Sequence, residues 1–247
     1  MGRFVNADAF ASTGQGILGC NMFVYCENNP VGSLDLCGCI TYPFGAISEW
    51  LTTTLQVLDS ICGNGEYVFS SYSEVTVSVS AAYVVIDAYV VFDRAFDSVP
   101  FIIGTKAYWE GEYDFPSGTK TVIVNIHTGK AADGRAIFVH FSNDGGTSYT
   151  WSSFMGFSDH PDTEVMIYKR ADGGGPKDFL WSIAHEFGHV LGIADYYTHV
   201  NKGELGYIKD LDSVMNKGEH SANRSDIIMA ICASALGRWM DWTPNGG

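Results

Sequence analysis

Basic residues are scarce in this chain. Its 247 residues carry 14 Lys and Arg against 28 Asp and Glu, a formal net charge of −14. That argues against a nucleic-acid backbone as the main partner, because phosphate binding needs clustered Lys and Arg. Long hydrophobic runs are missing too. The most apolar stretch, YVVIDAYVVF, is interrupted by Asp87 and reaches only about half of the roughly 20 residues that a bilayer-crossing helix requires. No membrane span is therefore expected. The opening MGRFVNADAF has one Arg with no apolar core behind it, so it does not read as a signal peptide. It also lacks the Ser or Thr of a myristoylation signal. Two expectations follow: a cytosolic chain, or one piece of a larger exported polypeptide.

Several catalytic signatures are absent. Cys20, Cys26, Cys37, Cys39, Cys62 and Cys232 include no Cys-x-x-Cys, and the lone Cys37-Gly-Cys39 reads as loop thiols rather than half of a zinc site. There is no Gly-x-Ser-x-Gly and no Ser-His-Asp pattern, and ADGGGP lacks the Lys-Ser/Thr ending of a phosphate-binding loop. No internal repeat stands out. What remains is an ordinary globular balance, 46% hydrophobic and 17% charged with 28 glycines, in a chain long enough for one or two domains.

The pattern changes along the chain. Residues 1–42 are rich in Gly and Asn and show no period. Within 43–64, Ile47, Trp50, Leu51, Leu55, Leu58 and Ile61 recur at steps of three and four, which predicts a helix stopped by CGNG. SEVTVSVS alternates and reads as a strand, as do TKTVIVNIH (119–127), RAIFVHFS (135–142) and TEVMIYKR (163–170), with TWSSFMGF (150–157) a weaker strand. AYVVIDAYVVFDRAFDSV has charges at near-helical spacing and is read as a helix, although its β-branched content also suits a strand. Helical patterns follow ADGGGP and span 221–239, where Ser221 or Asn223 would cap and Ile227, Ile228, Ile231 and Leu236 would be buried. The expected fold is α+β, a twisted sheet against two main helices.

The chemistry concentrates in WSIAHEFGHVLGIADYY, Trp181 to Tyr197. Pro176 suits the first turn of this helix and Gly192 suits its end. Leu180, Ile183, Phe187 and Val190 or Leu191 form an apolar stripe, while His185 and His189 stand one turn apart on another face. Two imidazoles so placed can both reach one Zn2+ ion. Glu186 is displaced by about 100° from His185. It is poorly placed as a ligand and well placed as a general base for a water that attacks a carbonyl. After the Gly192 turn, Asp195 can swing back as third ligand, and His199 is the alternative. Trp181, one turn before His185, either walls the cleft or packs beneath the sheet. His127, His140, His160 and His220 have no partner at ligand spacing and read as surface or strand histidines.

HEFGHVLGIAD resembles the extended zinc motif of metzincin metallopeptidases, with Asp rather than His in last place as in snapalysin-like members. The resemblance implies His185, His189 and Asp195 as zinc ligands, Glu186 as general base and one catalytic Zn2+. In LDSVMNKG it implies a Met-turn at Met215 beneath the metal. Lys217 stands where some members carry a metal-contacting Tyr, so no such role is implied. The implied fold is a metzincin-like twisted mixed sheet with an active-site helix and a C-terminal helix, an edge strand receiving an extended peptide as an added strand. TWSSFMGF or TEVMIYKR could be that edge.

The N-terminal segment resembles the end of the core of RHS-repeat proteins. The residues that carry this are Gly2-Arg3-Phe4, Asp8, the Asn21-to-Tyr25 aromatic stretch, Asn28-Asn29-Pro30, Asp35 and Gly38. In that family a variable toxin domain follows such a segment. Ala9 and Leu36 replace the prolines of its self-cleavage motifs, so the segment reads as a structural remnant. The organisation expected is an RHS remnant over 1–42, a linker helix over 43–65 and a zinc metallopeptidase over 66–247. The expected function is a zinc-dependent endopeptidase acting on a protein or peptide, secreted or delivered as the tip of an RHS-type polypeptide, with an immunity protein as a partner implied by the resemblance. The alternatives are a catalytically silent binding module or structural RHS fragment, and a zinc hydrolase acting on a non-peptide amide.

Overall fold

The computed structural model of the chain describes residues 33–35, 41–43, 56–57, 59–63, 65–155, 162–170, 178–195, 198–199, 205–206, 212–216 and 220–240. Two short strands, β1 (Ser33–Asp35) and β2 (Thr41–Pro43), pair antiparallel with Leu34 opposite Tyr42. The rest of the 1–42 segment, with Asp8, Cys20, Cys26, Cys37 and Cys39, lies outside the described residues. Residues 56–57 and 59–62 are helical, within the helix expected over 43–64, and Val57 and Ile61 are buried.

The principal sheet has eight strands: β3 (Tyr67–Tyr72), β4 (Val75–Val79), β5 (Tyr83–Phe92), β6 (Gly111–Phe115), β7 (Gly118–Thr128), β8 (Ile137–Gly145), β9 (Tyr149–Trp151) and β10 (Thr163–Arg170). β5 is its centre. Along one edge it pairs in parallel with β7, and along the other it is shared. β4 runs antiparallel against Val84–Ala88, and β8 takes over in parallel at Val90–Phe92. Val90 faces Thr128 of β7 and Ile137 of β8 at once, which places those two strands on opposite edges. β8 pairs in parallel with β10, β10 antiparallel with β9, and β6 antiparallel with β7. Among the described residues β10 is thus interior, and β9 lies at an edge, as do β3 and β6.

Alternation decides which face is buried. Val75, Val77, Val79, Val84, Ile86, Ala88, Val90, Val122, Val124, Ile137, Val139, Val165 and Ile167 turn inward and are nearly inaccessible, the Val and Ile side chains each contributing about 1.5–3 kcal/mol on burial. The residues between them along β5, such as Val85, Asp87, Tyr89 and Val91, are only half-buried. Besides the helical residues 56–57 and 59–62, three helices among the described residues contribute to the core: α1 (Ser98–Trp109), α2 (Phe179–Val190) and α3 (Arg224–Leu236). α1 lies within the crossover that the parallel β5–β7 pairing requires. Its Trp109 is buried, donates from Nε1 to the Ala184 carbonyl at 2.9 Å and meets the Phe187 ring edge-on, so α1 is keyed to α2. α3 packs on β3 and β4. A last pair, β11 (Thr198–His199) and β12 (Leu205–Gly206), is antiparallel.

At the fork beside β5 a buried polar cluster fills the junction. The Glu74 carbonyl accepts from Tyr89 N–H at 2.9 Å. Its carboxylate, 1% exposed, accepts two bonds from Arg135 at 2.7 and 3.0 Å and one from the Ser153 hydroxyl at 2.6 Å.

The α+β class with a mixed sheet is as the sequence implies. The helix expected at AYVVIDAYVVFDRAFDSV is corrected. Tyr83–Phe92 is strand β5, followed by a 3-10 turn at Ala95–Asp97 and then α1. Its β-branched residues suit a pleated surface, and Asp87 is on the half-buried face, where His127 and Asn125 meet its carboxylate at 2.7 and 3.1 Å. The strand expected from TWSSFMGF is cut short: Tyr149–Trp151 is β9 and Ser153–Met155 a 3-10 turn.

Candidate metal centre

The local sequence fixes both ends of α2. Asp178 caps it, accepting from Trp181 N–H at 2.8 Å. Pro176, expected in the first turn, lies outside the described residues. At the far end Gly192 adopts φ +83°, a left-handed geometry that favours glycine. The Gly192 N–H donates to the His189 carbonyl and the Ile193 N–H to the Gly188 carbonyl, the paired bonds of a Schellman stop. The segment after this turn is pinned by Met240, whose N–H donates to the Gly192 carbonyl at 2.7 Å and whose carbonyl accepts from Ala194 N–H at 2.9 Å. That anchoring delivers Asp195 back toward the helix.

His185, His189 and Asp195 come together, each offering one ligand atom, with those atoms within 4.8 Å of one another. The ring orientations are set by backbone carbonyls. His185 Nδ1 donates to the Val214 carbonyl at 2.9 Å and His189 Nδ1 to the Ile193 carbonyl at 2.8 Å. A carbonyl only accepts, so both Nδ1 atoms carry hydrogen and, in neutral rings, both Nε2 atoms present lone pairs. Asp195 Oδ1 stands 3.0 Å from His185 Nε2 and 3.3 Å from His189 Nε2. This oxygen is buried and has no hydrogen-bond donor. Three electron-rich atoms thus converge, and a cation or extra protons must occupy the space between them. Donor atoms bonded tetrahedrally at about 2.0–2.1 Å stand about 3.3–3.4 Å apart, so the residues present fit a small divalent ion.

Without a cation the site holds protons. Burial pushes the His189 pKa down, but the nearby Asp195 and Glu186 carboxylates outweigh it and leave it raised. Burial pushes Asp195 up, and the two imidazoles more than reverse this, holding it well below the usual carboxylate range. A tryptophan lies against each imidazole. Trp181 meets the His185 ring at 5.1 Å and also packs on the core, and Trp239 stacks on His189 at 5.6 Å and 19°. Glu186 is 4% exposed, and its Oε2 accepts from the Thr150 hydroxyl of β9 at 2.9 Å.

Met215 lies under this helix, fully buried, and Gly188 makes room for it. The turn bearing Met215 is locked from α3. Ser213 Oγ accepts from Met215 N–H at 3.0 Å and donates to Asp226 at 2.7 Å. Asp226 closes a capping box with Asn223, which is therefore the cap, and burial pushes its carboxyl up to about 7. This lock leads through the Val214 carbonyl to His185.

His199 is in β11 opposite Leu205, and its side chain lies outside the described part of the structure. His127 and His140 pair with Asp87 and Asp93, and His220 approaches Asp212 at 3.4 Å, while His160 lies outside the described residues. Sequence reasoning missed Thr150, Ser213, Asp226, Trp239 and the two carbonyl partners, all brought in by tertiary contacts. Among the described residues no helix is long and apolar enough to cross a membrane. No protein-family model matches the chain, and comparison with curated proteins finds no match.

Proposed function

We propose that the chain is a zinc-dependent metalloendopeptidase of the metzincin type. The observation that carries this reading is the convergence of Asp195 Oδ1 with two Nε2 atoms, while both Nδ1 hydrogens are committed to carbonyls. Two imidazoles and one carboxylate form a donor set suited to zinc, with the fourth position open to water or substrate. Zinc held there would supply Lewis acidity, polarising a peptide carbonyl and making water acidic enough to attack near neutral pH. Glu186, next to His185 but not among the three convergent donors, takes the proton of the attacking water and passes it to the leaving amine. A structural site has no need of such a base.

The surrounding architecture supports the same reading. The site helix, the buried Met215 beneath it, the closing helix α3 and a mixed sheet with an antiparallel edge strand are the parts that the resemblance implies. Among the described strands β9 pairs with β10 alone, and the resemblance implies that an extended peptide adds as a strand at such an edge. The test is zinc content and casein-type proteolysis of the wild type and Glu186→Ala. One zinc per chain in both, with cleavage reduced at least about a hundredfold in the variant, is expected. Zinc without cleavage in either would replace the peptidase by a silent binding module, and no zinc in either would remove the metal site.

The RHS-like residues between Gly2 and Gly38 support delivery as the tip of a larger polypeptide, with an immunity protein covering the cleft. Co-purification with the product of the neighbouring gene tests that part, and no complex at micromolar concentration would count against it.

A further inference from the structure

We propose that Thr150 is the positioning residue for the Glu186 carboxylate, tying the peptide-binding edge strand to the base. The inference rests on the peptidase reading for its effect on rate, and on geometry alone for the contact itself. Thr150 is the middle residue of β9, with Val165 of β10 opposite it. Its neighbours Tyr149 and Trp151 are 44% and 39% exposed, whereas Thr150 is 9% exposed, so strand alternation turns its hydroxyl inward. That hydroxyl lies 2.9 Å from Glu186 Oε2 and 3.2 Å from the Glu186 backbone carbonyl. A hydroxyl has one hydrogen to give, and the shorter contact to the charged acceptor takes it.

Glu186 needs this donor. A carboxylate so deeply buried loses its water shell and is held in place only by what donates to it. Among the described residues, the Thr150 hydroxyl is the only donor to its side chain, and it engages Oε2 alone. Oε1 is left as the oxygen that can take and return a proton. The base therefore keeps one oxygen fixed and one working, in an orientation set by a strand rather than by the helix that carries it. A peptide that lengthens the sheet at β9 lies against the strand holding the base, so binding and proton transfer share one support.

The test uses Thr150→Val, which keeps the β-branched shape and removes the hydroxyl, and Thr150→Ser, which keeps the hydroxyl. In zinc-loaded protein, Thr150→Val is expected to lower kcat about tenfold with KM changed less than about twofold and zinc content unchanged. Thr150→Ser should restore most of kcat. Equal kcat in Thr150→Val and wild type, or equal loss in both variants, would overturn the proposal. A second readout needs no activity: a double-mutant cycle of Thr150→Val and Glu186→Ala on the denaturation midpoint of the zinc-free protein. Non-additive midpoints are expected, and additive ones would overturn the contact. If the wild type hydrolyses nothing while the cycle is non-additive, the peptidase reading fails and the positioning contact stands.

Discussion

A methyl group added at Gly188 would overlap Met215 Sδ and stand 3.2 Å from the Trp109 ring. Gly188 is next to His189, so a shift that relieves the clash moves a proposed ligand. Gly188→Ala is expected to cost about 1–3 kcal/mol, the usual penalty of overpacking, and to weaken zinc binding about tenfold or more. Thermal melts and a zinc titration check both. The third ligand is a choice between Asp195 and His199. Asp195 Oδ1 is already beside both imidazoles, so Asp195→Ala should weaken zinc binding about a hundredfold or more, while His199→Ala leaves it within about twofold. The reverse result in a competition titration with a chelator would assign the site to His199.

At the scale of elements, legibility in the sequence followed the range of the contacts. β4, β7, β8 and β10 alternate because one face of the sheet is buried, and period two survives in the residues themselves. The site helix was legible because His185 and His189 stand one turn apart and Gly192 stops the helix locally. α1 was not: SVPFIIGTKAYW has apolar residues on every side, with Phe101 and Trp109 buried and Val99 and Ile103 exposed, so no stripe emerges. β5 was misread because its half-buried face carries Asp87, satisfied by His127 and Asn125 about forty positions away. Thr150 is 36 positions from Glu186, a pairing that no spacing rule encodes. The fork beside β5 gives the prediction of this scale. Arg135→Met leaves the Glu74 carboxylate buried without its cation and should destabilise the fold by about 3 kcal/mol. Adding Glu74→Leu should recover part of that loss, because an apolar pair replaces an unpaired charge. Denaturant midpoints of the wild type, Arg135→Met and the double variant decide it, and a double variant no more stable than Arg135→Met alone would refute the account.

For the molecule as a whole, stability against pH is shaped by Asp226, fully buried where the α3 capping box meets the turn under the metal helix. Burial is the main cause of its raised pKa, and the bonds from Asn223, Ser213 and Val214 pull the other way without cancelling it. The folded chain therefore binds this proton more tightly than the unfolded chain, whose carboxyl titrates near 3.8. The contribution is fully present below about pH 4 and is lost as pH rises through about 7, at up to about 1.4 kcal/mol per pH unit. Asn at this position is neutral throughout and keeps an acceptor for Ser213. The stability of the wild type relative to Asp226→Asn should thus fall by about 3 kcal/mol between pH 4 and pH 7, with the titration of groups remote from Asp226 cancelling in the difference. Measured on zinc-free protein, this separates the carboxyl from proton release at the proposed metal ligands. If the two stability curves ran parallel, Asp226 would be ionised throughout, stabilised by its three donors and the N-terminal end of α3, and the turn bearing Met215 would be held by a charge rather than by a shared proton.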